Sequence, residues 1–224
     1  YLNEGRTPPA YSSYDRFYLG WLVPEQLTMP ADKTLLPLSQ SKAPLATTNG
    51  QAYLLSQGIH NLDGSNPTPK EFFMLEYRKK TGWDSYLPGE GMLIWHIDYD
   101  EDAWFDNSPN NYTGTTQTAS SHMRIYLRPL SGSSSTPGAA FTSGSFDPRT
   151  WNGITINRPI TNINKQAESM SFSVMGGQAQ AVPLVSIGEI LNLIQFRTTR
   201  VGSQQQKMLN FKTTDASGTL SLSV

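Results

Sequence analysis

Two apolar segments joined by a polar loop constrain this chain more than anything else in it. "EFFMLEYRK" (71–79) and "GMLIWHID" (91–98) are connected through "TGWDSYLPGEG" (81–91). Both have the short period of β-strands. The first is apolar on both of its faces, the mark of a strand central in its sheet. Further strands are expected at "TLLPL" (34–38), "QAYLLS" (51–56), "HMRIYLRPL" (122–130), "GITIN" (153–157) and "SMSFSV" (169–174). Short strands separated by Gly, Pro, Ser and Asn predict a mainly β fold, an antiparallel β-sandwich. The stretches 105–121 and 131–150 are long and polar, and read as loops.

One short N-terminal helix is expected over about 12–22. Tyr14, Phe17, Tyr18 and Trp21 fall at i, i+3, i+4 and i+7, which sets four aromatic rings on one face against the core. Ser12 or Ser13 can cap it, Asp15 suits the positive end of its dipole, and Gly20 and Pro24 bracket its end. The composition changes after Gly176 and Gly177. "QAQAVPLV" reads as a linker, and strand signals follow at 192–197, 201–214 and 218–224. Three strands are too few for a sandwich, so 182–224 reads as part of a second β-domain.

The net charge is −1, from 17 basic and 18 acidic residues, so no global field favours nucleic acid. Cysteine is absent, which excludes disulfides, zinc fingers, a Cys nucleophile and iron–sulfur ligation. No apolar run approaches the roughly 20 residues of a membrane-spanning helix. The opening "YLNEGRTPPAYSSYDRFYLGWL" reads like the interior of a larger protein: a mature product or a fragment.

The chain holds three histidines, His60, His96 and His122, and no two form the H-E-x-x-H pattern of hydrolytic zinc sites. There is no G-x-S-x-G elbow and no phosphate-binding Gly-rich loop. The densest cluster of polar chemistry is "HIDYDEDAWFD", with His96 followed by Asp98, Asp100, Glu101, Asp102 and Asp106. His96 would sit inward among apolar neighbours, and pairing of the two strong strands could bring it to Glu76. One reading is a ligand or acid–base pair; the other is a buried imidazole held by a carboxylate or carbonyl. Asp98, Asp100 and Asp102 open like a calcium loop but fail the EF-hand pattern at Ala103 and Pro109. With Asp106 they form either a structural calcium site or a solvated acidic loop. Trp83, Tyr86, Trp104 and Trp151 lie in or beside loops, where they would stack on sugar rings or cap the core.

The run from "EFFMLEYRK" through "LPGEGMLIWHID" to the paired Asn110 and Asn111 resembles the immune inhibitor A-like zinc metallopeptidases. In that family a strand of the type E-Y-F-L-L-E-N-R precedes L-P-G-x-G-L-L-I-W-H-I-D. "NEGRTPPAYSSYDRFYLGWL" is similar to the family's closing catalytic-domain segment, and "WNGITINRPITNI" and "ESMSFSV" to its final strands. His122 and Arg124 match the strand after the asparagines, while Tyr126 and Pro129 stand where it has acids. The tail from about 182 resembles the start of a Hydin-type immunoglobulin-like repeat.

The resemblance implies three parts: the end of a catalytic domain (1–28), a β-sandwich (29–176) and a partial immunoglobulin-like unit (182–224). It implies a secreted or cell-surface bacterial protein whose zinc sits in an upstream catalytic domain. The partners expected are that domain and a protein or peptide substrate, with no nucleic acid and no transmembrane segment. The site residues expected in this chain are Asp98, Asp100, Asp102 and Asp106 for calcium, and Glu76, His96, His122 and Arg124 as a structural polar network. The alternative is a stand-alone secreted glycan-binding or adhesive sandwich.

Overall fold

The computed structural model describes residues 8–40, 51–112, 114, 116–131, 137–178, 185–187 and 211–213. The chain divides into two compact units, 1–179 and 180–224. The first is mainly β and built from two sheets. Its strands are β1 (Glu25–Gln26), β2 (Ala31–Leu35), β3 (Ala52–Ser56), β4 (Glu71–Arg78), β5 (Gly91–Asp98), β6 (Ile125–Leu127), β7 (Ser143–Phe146), β8 (Ile160–Lys165) and β9 (Met170–Val174). Among the described residues, short helices α1 (Ser13–Tyr18) and α2 (Glu101–Phe105) and three 3-10 turns accompany these strands.

One sheet has five strands in the order β1-β3-β4-β5-β6, and the other four in the order β2-β9-β8-β7. The four-stranded sheet is antiparallel throughout. The five-stranded sheet is mixed, because β1 runs parallel to β3; this corrects the all-antiparallel expectation. The two strong strands pair antiparallel, from Glu71 opposite Asp98 to Arg78 opposite Gly91, with β4 at the centre of the sheet.

The double-sided apolar pattern of β4 has a direct cause. Phe73, Leu75 and Tyr77 pack with Tyr53, Ile160, Phe172 and Val174 in the core shared by the two sheets. Phe72 and Met74 point the other way, into a second core closed by Tyr14 and Phe17 of α1. All five of these β4 side chains are fully buried. At about 1.5–3 kcal/mol for each large apolar side chain, burial on both faces makes this strand the principal anchor of the fold. Gly91 permits the Ala140–Phe141 backbone to approach β5 closely, where Met92 and Phe141 exchange backbone hydrogen bonds. Its φ is +154°, and a Cβ there would lie 2.6 Å from the Phe141 carbonyl oxygen.

Several boundaries differ from those read off the sequence. Helix α1 ends at Tyr18 rather than near 22, because Leu19 and Gly20 form a turn and Gly20 takes a φ of +72°. Only Tyr14 and Phe17 of the four rings are buried, while Tyr18 is half-exposed and Trp21 lies past the helix, edge-on to Tyr11. The stretch 153–157 makes one bridge, Arg149 to Thr155, and no strand. The polar stretch 131–150 contains β7, and the acidic stretch after β5 coils into α2. In the second unit β10 (Val185–Ile187) pairs antiparallel with β11 (Phe211–Thr213). The expected strands at 192–197 and 218–224 lie outside the described residues.

Candidate functional site

The polar residues singled out by the sequence fall into two groups on opposite faces of the five-stranded sheet. The register decides this. Glu76 lies opposite Leu93, and His96 lies opposite Phe73. Cross-strand partners share a face, so Glu76 and His96 point in opposite directions and do not meet. The expected Glu76–His96 pair is corrected by that one-residue difference of parity.

Glu76 belongs to a buried charge network. Its Oε1 accepts from Arg78 Nε at 2.6 Å, and its Oε2 accepts from the backbone N–H of Ser13. Arg78 NH1 donates to both oxygens of Asp84, at 3.0 and 3.1 Å, and to the carbonyl of Ala10 at 2.9 Å. The backbone N–H of Ala10 donates to Asp84 Oδ1. Glu76 and Asp84 are wholly buried and Arg78 nearly so. Burial pulls the Arg78 guanidinium down, but Glu76 and Asp84 outweigh it and hold it above its ordinary value. Three charged side chains thus fasten the segment entering α1 to the middle of the sheet. Such a network is strongly specified, since loss of one member strands the others in a poor solvent.

On the other side stand His96, His122 and Trp151. His96 Nε2 donates to Glu71 Oε1 at 2.8 Å, and its ring stacks on Phe73 and Trp151 at 4.1 and 4.8 Å. Burial lowers its pKa, against the pull of Glu71. Trp151 also donates its backbone N–H to Glu71 Oε1, at 2.6 Å, and stacks on His122 at 4.3 Å. The Trp151 loop therefore clamps the ends of β4, β5 and β6. His122 Nε2 lies 2.9 Å from Asp98 Oδ2, and its Nδ1 lies 2.9 Å from the Thr118 carbonyl. Arg124 bridges Asp98 and Asp100, at 3.0 Å to each.

The four acids considered for calcium do not gather round one cation. Helix α2 separates them: Asp100 caps its start, accepting from Ala103 N, Asp102 is in its first turn, and Asp106 caps its end. Arg124 already takes the two acids nearest β5. Among the described residues no three His, Asp or Glu side chains are placed to hold a metal ion. Nothing in the sequence alone marks Glu71, Arg78, Asp84 or Trp151 as members of these networks. Arg78 and Asp84 left one signal, a charge ending an apolar strand and another within the loop that follows it.

The exposed aromatics divide as well. Trp104 packs edge-on to Tyr14 and tilts on Tyr99, capping the second core. Trp83 and Tyr86 stay exposed, 62% and 52%, on a 3-10 turn (Gly82–Tyr86) whose Asp84 points inward. A shallow cleft of about 260 Å³ lies between the end of α1 and the 62–65 loop, bordered by Phe17, Leu22, Val23 and Leu62. No helix among the described residues is long and apolar enough to cross a membrane. No protein-family model, curated protein or solved structure matches this chain.

Proposed function

We propose that this chain is a non-catalytic β-region of a secreted zinc metallopeptidase of the immune inhibitor A-like type, on which the upstream catalytic unit is carried. The observation that supports this reading is the fastening of residues 10–17. Glu76, Arg78 and Asp84 hold the incoming segment by its backbone, and α1 closes the second core. Yet Tyr11, Leu19, Trp21 and Val23, all close to α1 in sequence, remain exposed by 46–60%. A rigid, anchored segment with apolar side chains in water suits a joint to another folded unit. In this reading 1–28 closes the catalytic domain, 29–176 is the supporting sandwich, and the tail from 182 begins an immunoglobulin-like unit. The protein is secreted or displayed at a bacterial surface and acts on protein or peptide substrates. Zinc would be held upstream, since this chain has no H-E-x-x-H helix to hold it.

The reading frame upstream of Tyr1 tests this. It should encode an H-E-x-x-H helix within the preceding one or two hundred residues, as an order of magnitude for one domain. A start codon and signal peptide directly before Tyr1 would sink the proposal. The chain by itself should not cleave casein with zinc added; cleavage abolished by a chelator would refute its non-catalytic role. The exposed Trp83 and Tyr86 favour a second reading, a stand-alone glycan-binding module. That reading requires that Trp83→Ala and Tyr86→Ala abolish binding to a glycan array.

A further inference from the structure

Of Glu71, Asp98, Asp100, Arg124 and Arg128 around the Trp151 clamp, every charge but one is answered. Glu71 accepts from His96 and Trp151, Asp98 is met by His122 and Arg124, and Asp100 by Arg124. Arg128 is the exception. Among the described residues it is the arginine whose guanidinium donates to no acceptor. It lies instead over the rings of Tyr126 and Trp151, at 5.5 and 5.9 Å. It is half-buried, so part of its hydration is lost without a partner in return. Ring faces stabilise the cation and leave its N–H donors in place.

The neighbouring backbone shows what kind of molecule would supply the acceptor. β6 is an edge strand. Asp98 N donates to Arg124 O, and Arg128 N to Ile94 O, so Arg124, Tyr126 and Arg128 turn their backbone groups toward β5. Ile125 and Leu127 turn theirs outward. Asn110 closes the first, donating to Ile125 O at 3.0 Å and accepting from Ile125 N at 2.9 Å. Pro129 has no N–H to offer. Between them the N–H and C=O of Leu127 face outward and find no partner among the described residues. We propose that Leu127 and Arg128 form a docking point for an extended acidic peptide. One peptide residue pairs its N–H and C=O with Leu127. The adjoining residue, on the face shared with Tyr126 and Arg128, lays its carboxylate against the guanidinium fork. The two stops at Asn110 and Pro129 confine pairing to one residue, which prevents edge-to-edge aggregation while leaving this contact open.

The inference is independent of the protease reading. It is tested by following the Arg128 Nε–H and Trp151 indole signals by NMR while hexaglutamate is added, with hexaglutamine and an oligogalacturonate in parallel. Hexaglutamate should move both signals saturably, along with the Leu127 amide, and hexaglutamine should not. Arg128→Gln should weaken binding at least tenfold with an unchanged melting temperature, and Arg128→Lys should recover it only in part. Absence of shifts at millimolar hexaglutamate, or equal binding of hexaglutamine, would overturn the proposal. So would binding that survives Arg128→Gln, or oligogalacturonate binding without movement of the Leu127 amide.

Discussion

His60 shows how a single residue ties this fold to pH. Its ring is 3% exposed, edge-on to Phe72 at 4.8 Å, and its Nδ1 accepts from the Leu62 N–H at 2.8 Å. Burial pushes its pKa down to about 4, with Asp63 opposing weakly. A folded value below the unfolded one means that the unfolded chain binds the extra proton. Stability is therefore complete above about pH 6.5 and is lost as pH falls toward 4. The buried His96 shifts in the same direction and adds to the loss. For His60 a displacement of this size corresponds to about 3 kcal/mol. Urea melts at pH 7 and 4.5 should show the loss, and His60→Asn, which keeps an acceptor near Leu62, should reduce it. An unchanged pH dependence in that variant would disprove the assignment. Arg78 makes a sharper case. Arg78→Met leaves Glu76 and Asp84 buried without a cation and should cost about 3–5 kcal/mol. Adding Glu76→Gln and Asp84→Asn should restore part of that; a triple variant less stable than Arg78→Met would contradict the network.

At the scale of elements, α1 is too short to be stable alone. Its capping box, Ser12 with Asp15, satisfies its first N–H groups, but its persistence depends on Tyr14 and Phe17 lying against Phe72. Deleting residues 1–22 would open the second core and strand Glu76, Arg78 and Asp84. The truncated chain should melt far lower or aggregate; an unchanged melting temperature would show that the segment contributes nothing here. Helix α2 and the end of β5 carry a different expectation. Since Arg124 occupies the space between Asp98 and Asp100, calcium and chelators should leave the melting temperature unchanged. Arg124→Gln should lower it by uncovering the acid pair. A melting temperature of the unaltered protein that rises with micromolar calcium would refute the ion-pair arrangement.

At the scale of the first unit, the five-stranded sheet is the middle layer. One face is covered by the four-stranded sheet, the other by the N-terminal segment and α2. This layering explains why a chain with few helices still spends one on closing a core. It also separates roles by face: the Glu76 network organises the entry of the chain, and the Trp151 clamp organises the sheet edge where Arg128 waits unpaired. The long polar stretches earn no single function. One hides β7, which completes the second sheet through alternation too weak to see in "SGSF".

By itself the sequence determined the β class, the two central strands and the position of the first helix, because those depend on local periodicity and capping. "EFFMLEYRK" (71–79) reads as a strand apolar on both sides, and β4 (Glu71–Arg78) is buried on both. What covers those faces depended on contacts between residues far apart in the chain. The register of β4 against β5 is such a contact: Glu76 lies opposite Leu93, and only a shift of three residues would set it opposite His96, which nothing local excludes. Trp151 reads only as a loop aromatic and Glu71 as a strand's first residue; their partnership spans 80 residues. The acids after "WHID" suggested calcium through spacing alone. Tertiary structure brought Arg124 across from the neighbouring segment, where its guanidinium bridges Asp98 and Asp100, a contact that no spacing in the sequence announces.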